Sequence, residues 1–174
     1  MKAFILDTSA FIQGFNTSDP DAKLYTTPLV INEINEEIAK IRVVNWSQTG
    51  KLVIITPSSS SIEHVLSQAK IIGEIKSLST TDLNVVAISH QLKQKGLTTF
   101  LISDDYSVQN LADYMGLTYR GMITHGIKRR FHWINYCPGC RKQFDKTQQI
   151  NICPICGTEL KRKPDKKSRT RVEE

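Results

Sequence analysis

Two sets of residues in this 174-residue chain could do chemistry. The first is a block of four cysteines: Cys137 and Cys140 in CPGC, then, twelve residues on, Cys153 and Cys156 in CPIC. Two C-x2-C pairs this close match a tetrahedral four-cysteine zinc site, and the prolines and Gly157 suit tight knuckle turns. Disulfides are the competing account, but this spacing in an intracellular chain favours zinc. Four thiolates leave no open coordination position, so such a zinc is structural and staples a module of about 25 residues that could not build a core alone. The second set is scattered: Asp7, Glu33, Asp82 and the pair Asp104/Asp105. None has an obvious Lys or Arg partner nearby in sequence. Carboxylates gathered without cations repel one another unless a divalent metal holds them. Mg2+ or Mn2+ suits an all-oxygen site, and such ions bridge a phosphodiester, activate water and stabilise the leaving oxygen. If the fold gathers them, these acids point to metal-dependent phosphodiester hydrolysis. Each also has a plainer account: Asp7 as a helix cap, Asp82 as a first-turn acid facing the helix dipole, Glu33 as a solvated helix glutamate.

The elements that must position these acids follow from the apolar pattern. Lys2 to Leu6 reads as a buried strand ending at Asp7, and Thr8 and Ser9 cap a helix carrying Ala10, Phe11, Ile12 and Phe15. Residues 16–26 are polar and turn-rich and read as a loop. Thr27 and Pro28 open a helix to about Lys40, with Val30, Ile31, Ile34, Ile38 and Ile41 on one side. Lys51 to Thr56 reads as a second strand. A helix follows from about Ile62, capped by Ser58 to Ser61, with His64 a structural histidine. Ser79 to Thr81 start a buried helix through Leu92, which Gly96 closes. Thr98 to Ile102 is a third strand, running into Ser103-Asp104-Asp105 and another helix. Leu117 to Tyr119 adds a short strand. Alternating strands and helices predict an α/β fold with a parallel sheet, whose strand exits share one edge. Asp7 and Asp104/Asp105 should therefore converge there.

Charge divides the chain unevenly. Residues 1–127 hold 10 Lys/Arg against 12 Asp/Glu, and residues 128–174 hold 13 against 5. An acidic body could hold a cation and a basic appendage a polyanion. Lys128, Arg129, Arg130, Arg141, Lys142 and Lys146 are interleaved with Phe131, Trp133, Tyr136 and Phe144, a pattern that suits single-stranded RNA. About half of these rings are expected to pack inside the module instead. The expected layout is a nuclease-like domain over 1–120, a linker over 121–130, a zinc ribbon over 131–160 and a basic, disordered tail over 161–174. No run approaches the ~20 apolar residues of a membrane span. Asp7 interrupts the first apolar run too early for a signal peptide. A soluble cytoplasmic protein is expected.

Four motifs in order, ILDTSAFI, PLVINEI, STTDLNVVAI and LISDDYSVQNLA, resemble the PIN-domain ribonucleases over roughly residues 1–120. The resemblance implies a central parallel sheet flanked by helices and an acidic Mg2+/Mn2+ site. By motif position it assigns that site to Asp7, Glu33, Asp82 and an aspartate of the SDD segment. Asp105 fits the hydroxyl-x-Asp spacing best, Asp104 assisting or capping the helix, and Thr8 or Ser103 could support by hydrogen bonding. With the four-cysteine ribbon added, nearly the whole chain resembles the Nob-one family of ribosome-maturation endonucleases, the compact archaeal type in particular. That resemblance implies trimming of precursor small-subunit rRNA at its 3′ end, with the pre-ribosomal small subunit as partner. Two rivals are a toxin-type PIN ribonuclease acting on other RNAs and a non-catalytic RNA-binding assembly factor.

Overall fold

The computed structural model describes residues 2–123, 129–130, 133–144, 150–164 and 170–171, the pairs 129–130 and 170–171 by their backbone alone. The larger unit is a parallel sheet built from β1 (Lys2–Leu6), β2 (Lys23–Thr26), β3 (Leu52–Ile54), β4 (Thr98–Ile102) and β5 (Tyr119–Arg120). Its strand order is β3-β2-β1-β4-β5, and every pairing is parallel. Ala3, Ile5, Leu6, Leu101 and Ile102 are fully buried, which explains why β1 and β4 read as apolar runs. The helices are α1 (Thr8–Ile12), α2 (Pro28–Glu33), α3 (Glu37–Gln48), α4 (Ser59–Ile72), α5 (Thr80–Gln94) and α6 (Tyr106–Tyr114). Leu83, Val85, Val86, Ala87 and Ile88 of α5 are all buried, so this helix is sunk into the core against β1 and β4. No helix among the described residues is long and apolar enough to cross a membrane.

Three expectations are corrected. Residues 23–26, read as the end of a loop, form β2 beside β1, in register Phe4↔Leu24 and Leu24↔Leu52. KLYT has one aliphatic residue and follows turn residues, so its local pattern is weak; two flanking strands and the Thr26 hydroxyl bond to the Leu6 carbonyl (2.9 Å) hold it. The single helix expected from Thr27 to Lys40 is two. Ile34 takes an extended conformation (ψ 110°), α2 ends at Glu33 and α3 begins at Glu37. Ile38 and Ile41, placed on the buried stripe, are 64% and 58% exposed, whereas Val30 and Ile34 are buried. The Arg42 guanidinium fixes α3 by donating to the carbonyls of Phe11 and Ile12 at 2.6 and 3.0 Å, a tertiary contact with no local signature. Finally, Lys161–Pro164, expected to open a disordered tail, form a strand, β9.

The smaller unit is a three-stranded antiparallel sheet of β7 (Trp133–Tyr136), β8 (Gln143–Phe144) and β9 (Lys161–Pro164), in order β8-β7-β9. A two-stranded pair, β6 (Arg129–Arg130) with β10 (Thr170–Arg171), joins part of the expected linker to part of the expected tail. Residues 165–169 and 172–174 of that tail lie outside the described residues.

Candidate functional site

The strand order reverses between β1 and β4, and in a parallel α/β sheet the crevice beyond such a switch point is where ligands bind. Leu6 is paired with Ile102, so Asp7 and Ser103 leave the sheet side by side. Asp7 caps α1, its Oδ1 accepting the Thr8 N–H at 2.7 Å. Its Oδ2 accepts the Ser103 hydroxyl at 2.7 Å and, more weakly, the Ser9 hydroxyl at 3.5 Å. Only 7% of Asp7 is exposed. Burial pushes its carboxyl up to about 6; the Ser103 and Thr8 hydrogen bonds pull it down, and the charges of Asp82 and Asp105 raise it further.

Glu33 arrives from the other side of the switch point, as the last residue of α2. Its Oε1 accepts the Thr81 hydroxyl at 2.5 Å and its Oε2 the Thr8 hydroxyl at 2.9 Å. Asp82 sits in a capping box at the start of α5. Its Oδ2 accepts the Ser79 N–H at 2.7 Å while its own N–H donates to Ser79 Oγ at 3.1 Å. Burial raises its carboxyl, the Ser79 bonds oppose this, and the charges of Asp105 and Glu33 raise it again. Asp105 caps α6, Oδ1 accepting the Ser107 and Val108 N–H groups at 2.6 and 3.4 Å. The charges of Asp82 and Asp105 thus reach Asp7, and those of Asp105 and Glu33 reach Asp82.

Asp104 has a different set of partners. Its Oδ1 accepts the N–H groups of Met122 and Ile123 at 2.8 and 3.0 Å, which ties the segment after β5 to the body. Two hydroxyls that bear on the acids, Thr81 and Ser9, escaped the sequence reading, although the T-T-D and D-T-S contexts were visible. Hydroxyls orient a carboxylate without neutralising it. Among the described residues no Lys or Arg forms an ion pair with these four acids. Neutral donors around uncompensated charge are the donor set that a divalent cation fits.

The cysteines make the tightest cluster in the described chain. All four are free thiols, with their sulfurs within 4.8 Å of one another. The contacts run between the two knuckles: Cys137 to Cys156 at 3.3 Å and Cys140 to Cys153 at 3.6 Å. Tetrahedral zinc with Zn–S of about 2.3 Å places sulfurs about 3.8 Å apart, so the cluster could hold zinc. The knuckles repeat one pattern. Arg141 N–H donates to the Cys137 carbonyl and Gly157 N–H to that of Cys153, both at 2.9 Å, and both residues have positive φ (61° and 71°). The Thr158 hydroxyl and N–H bonds pull the Cys156 thiol down to about 6, while, against the Lys142 backbone bond, burial and the other three sulfurs push Cys140 up to about 11.

Of the expected RNA contacts, Arg141 and Lys142 are exposed. Trp133 is half-buried, its indole N–H donating to Glu74 at 2.6 Å. Lys128 lies outside the described residues, as do the side chains of Arg129 and Arg130.

The family model "PIN domain of ribonuclease" matches residues 4–92. Endoribonuclease Nob1 of Pyrococcus abyssi is 36% identical over 90% of this chain and 91% of its own length. Ribonuclease VapC1 of Thermoplasma acidophilum is 30% identical over 94% of this chain and 79% of its own length. The 20S-pre-rRNA D-site endonuclease NOB1 of Saccharomyces cerevisiae is 34% identical over 55% of this chain and 21% of its own length. PIN nucleases use divalent metal ions. The chain belongs to the PIN-domain ribonucleases and, among them, to the Endoribonuclease Nob1 family.

Proposed function

We propose that this protein is a metal-dependent endoribonuclease that trims precursor small-subunit rRNA at its 3′ end, acting in the cytoplasm on the pre-ribosomal small subunit. The observation that carries the chemistry is the uncompensated acidic group at the switch point, held by neutral hydroxyls. The substrate rests on the likeness to the yeast 20S-pre-rRNA D-site endonuclease. Four free thiols fit a reducing compartment.

In this reading Asp7, Glu33, Asp82 and Asp105 hold Mg2+ or Mn2+, and the thiolates of Cys137, Cys140, Cys153 and Cys156 hold one structural Zn2+. The divalent ion, when bound, supplies activation of water and stabilisation of the leaving oxygen. The chain's own part is orientation: Ser103 and the Thr8 N–H fix Asp7, while Thr8 and Thr81 fix both oxygens of Glu33. Arg141 and Lys142, exposed on the first knuckle, contact RNA phosphates. Lys128, Arg129 and Arg130 are further candidates for phosphate contact by their charge.

The test is cleavage of an RNA spanning the 3′ end of small-subunit rRNA with Mn2+ or Mg2+, comparing wild type with Asp7→Asn. A single metal-dependent cut, reduced roughly 100-fold or more in the variant with RNA binding kept, supports the proposal. Tight binding without a cut would replace it with an assembly factor. The likeness to Ribonuclease VapC1 favours a second reading, a ribonuclease of other RNAs. Cuts scattered over unrelated RNA would choose that one.

A further inference from the structure

Gly73 to Ser79, the connector between α4 and α5, is where the ribbon meets the larger unit. Glu74 is only 2% exposed, and its carboxylate has donors from both units. Oε1 accepts from Asn110 Nδ2 on α6 at 2.9 Å and from Trp133 Nε1 on β7 at 2.6 Å. Oε2 accepts from Arg162 Nη2 on β9 at 3.1 Å. The same guanidinium donates through Nη1 to Ser77 Oγ at 2.7 Å and lies 4.2 Å over the Trp133 ring. Lys76 Nζ donates to Asn151 Oδ1 at 2.7 Å. At Gly73, where φ is +78°, an added Cβ would come within 3.1 Å of Trp133 Cβ and 3.2 Å of its carbonyl oxygen. A carboxylate buried among three donors resists displacement, because rotating the ribbon away would strand a charge.

This clasp lies close in the chain to the acidic site. The connector ends in the Ser79–Asp82 capping box, and Asn110 belongs to the helix that Asp105 caps. The ribbon sheet meanwhile has two faces. Tyr136 pairs with Lys161 and Ile134 with Lys163, so these four share the face opposite to Trp133 and Arg162. Lys163 Nζ stands 4.8 Å from the Tyr136 ring centroid. One face therefore grips the larger unit while the other offers cations and a ring suited to single-stranded RNA.

We propose that Glu74, through Trp133 and Arg162, is a positioning residue that selects which phosphodiester is cut, by fixing the span between RNA held on the ribbon and the acidic site. The inference rests on the endonuclease reading above. The test uses the full, zinc-loaded protein, with Glu74→Gln and Arg162→Met as variants. Arg162→Met keeps the alkyl packing and leaves Glu74 its Asn110 and Trp133 donors. Each protein is given a long RNA spanning the 3′ end of small-subunit rRNA and a short oligonucleotide that reaches the acidic site alone. Wild type is expected to cut the long RNA at one position. The variants are expected to spread the cuts over neighbouring phosphodiesters and to raise KM on the long RNA roughly tenfold, with kcat on the short one kept. Variants that cut at the wild-type position with the wild-type KM would overturn the inference while leaving the endonuclease standing. So would an equal loss of kcat on both RNAs, the mark of a purely structural role. A wild type that makes no cut overturns the endonuclease reading and this inference with it.

Discussion

The thiol cluster and the acidic cluster are both sets of four ligand-type residues, but they are assembled in opposite ways. The four cysteines span twenty residues, and two knuckle turns bring their sulfurs together almost unaided. The acids come from four separate elements, spread from Asp7 to Asp105, and their charges reach Asp7 and Asp82 because a parallel sheet reverses its strand order between β1 and β4. With zinc bound as proposed, the cysteine cluster is local chemistry that makes a fold, whereas the proposed acidic site depends on a fold already made. Consequently the first should be lost with its metal, and the second should survive metal removal as a strained but folded arrangement.

The largest effect should come from removing the proposed zinc. Structural zinc contributes on the order of 10 kcal/mol to small modules of this kind. Chelation, or Cys140→Ser, is expected to release the metal, unfold the ribbon and weaken RNA binding while the larger unit keeps its helical circular dichroism. Metal content and RNA affinity that both survive Cys140→Ser would undo the contrast at its firmer end.

On the acidic side, Thr81→Val removes the hydroxyl that holds Glu33 without changing side-chain size. Removing such an outer partner typically costs 10- to 100-fold, so kcat/KM in Mn2+ should fall by roughly tenfold or more. Thr80→Val, at the exposed neighbouring position, is the control expected to match wild type. Equal rates in the two variants would show that Glu33 needs no such support.

The raised Asp7 carboxyl predicts a smaller, signed effect of pH. Its folded-state value of about 6 lies above the ordinary 3.8, so the metal-free folded protein binds the proton more tightly than the unfolded chain. That contribution is complete below the lower value and is lost as pH rises through the higher one, on the order of 1 kcal/mol between pH 5 and 7. The stability of the magnesium- and manganese-free protein should fall over this window, and Asp7→Asn should flatten the fall. Added Mn2+ should stabilise more at pH 7 than at pH 5, because it needs the ionised form. A pH-independent Mn2+ effect would contradict the burial argument.

The smallest effect compares the two knuckles with each other. Arg141 and Gly157 occupy matching positive-φ positions, but only glycine adopts that conformation without steric cost. Arg141→Gly should raise the ribbon's thermal stability by up to about 1 kcal/mol, offset in part by added freedom in the unfolded chain, and should reduce RNA affinity through the lost charge. Gly157→Ala should destabilise. Opposite signs would mean that the Arg141 side chain holds the first knuckle more firmly than its backbone strains it.

Elements with short-range signals were legible in the chain before any folding was considered: β1 and β4 as apolar runs, the capped starts of α1, α4 and α5, and the cysteine knuckles. The order of the acidic motifs was legible too, and from it their meeting could be expected. Other features have no local pattern and came only with folding. KLYT became β2 because two strands flank it, and the helix after Pro28 ends at an extended Ile34, with α3 held to the end of α1 by Arg42. Thr81 reached Glu33 across forty-eight residues, and Asp104 Oδ1 took the N–H groups of Met122 and Ile123 while Asp105 Oδ1 capped α6. Neighbouring aspartates are chemically identical in sequence; the partners each takes depend on the direction its side chain leaves the strand exit. Trp133, a stacking candidate on composition alone, went instead to a buried carboxylate on the other unit. Local propensities act over a few residues, whereas the partner of a buried polar group is set by what the rest of the chain places beside it.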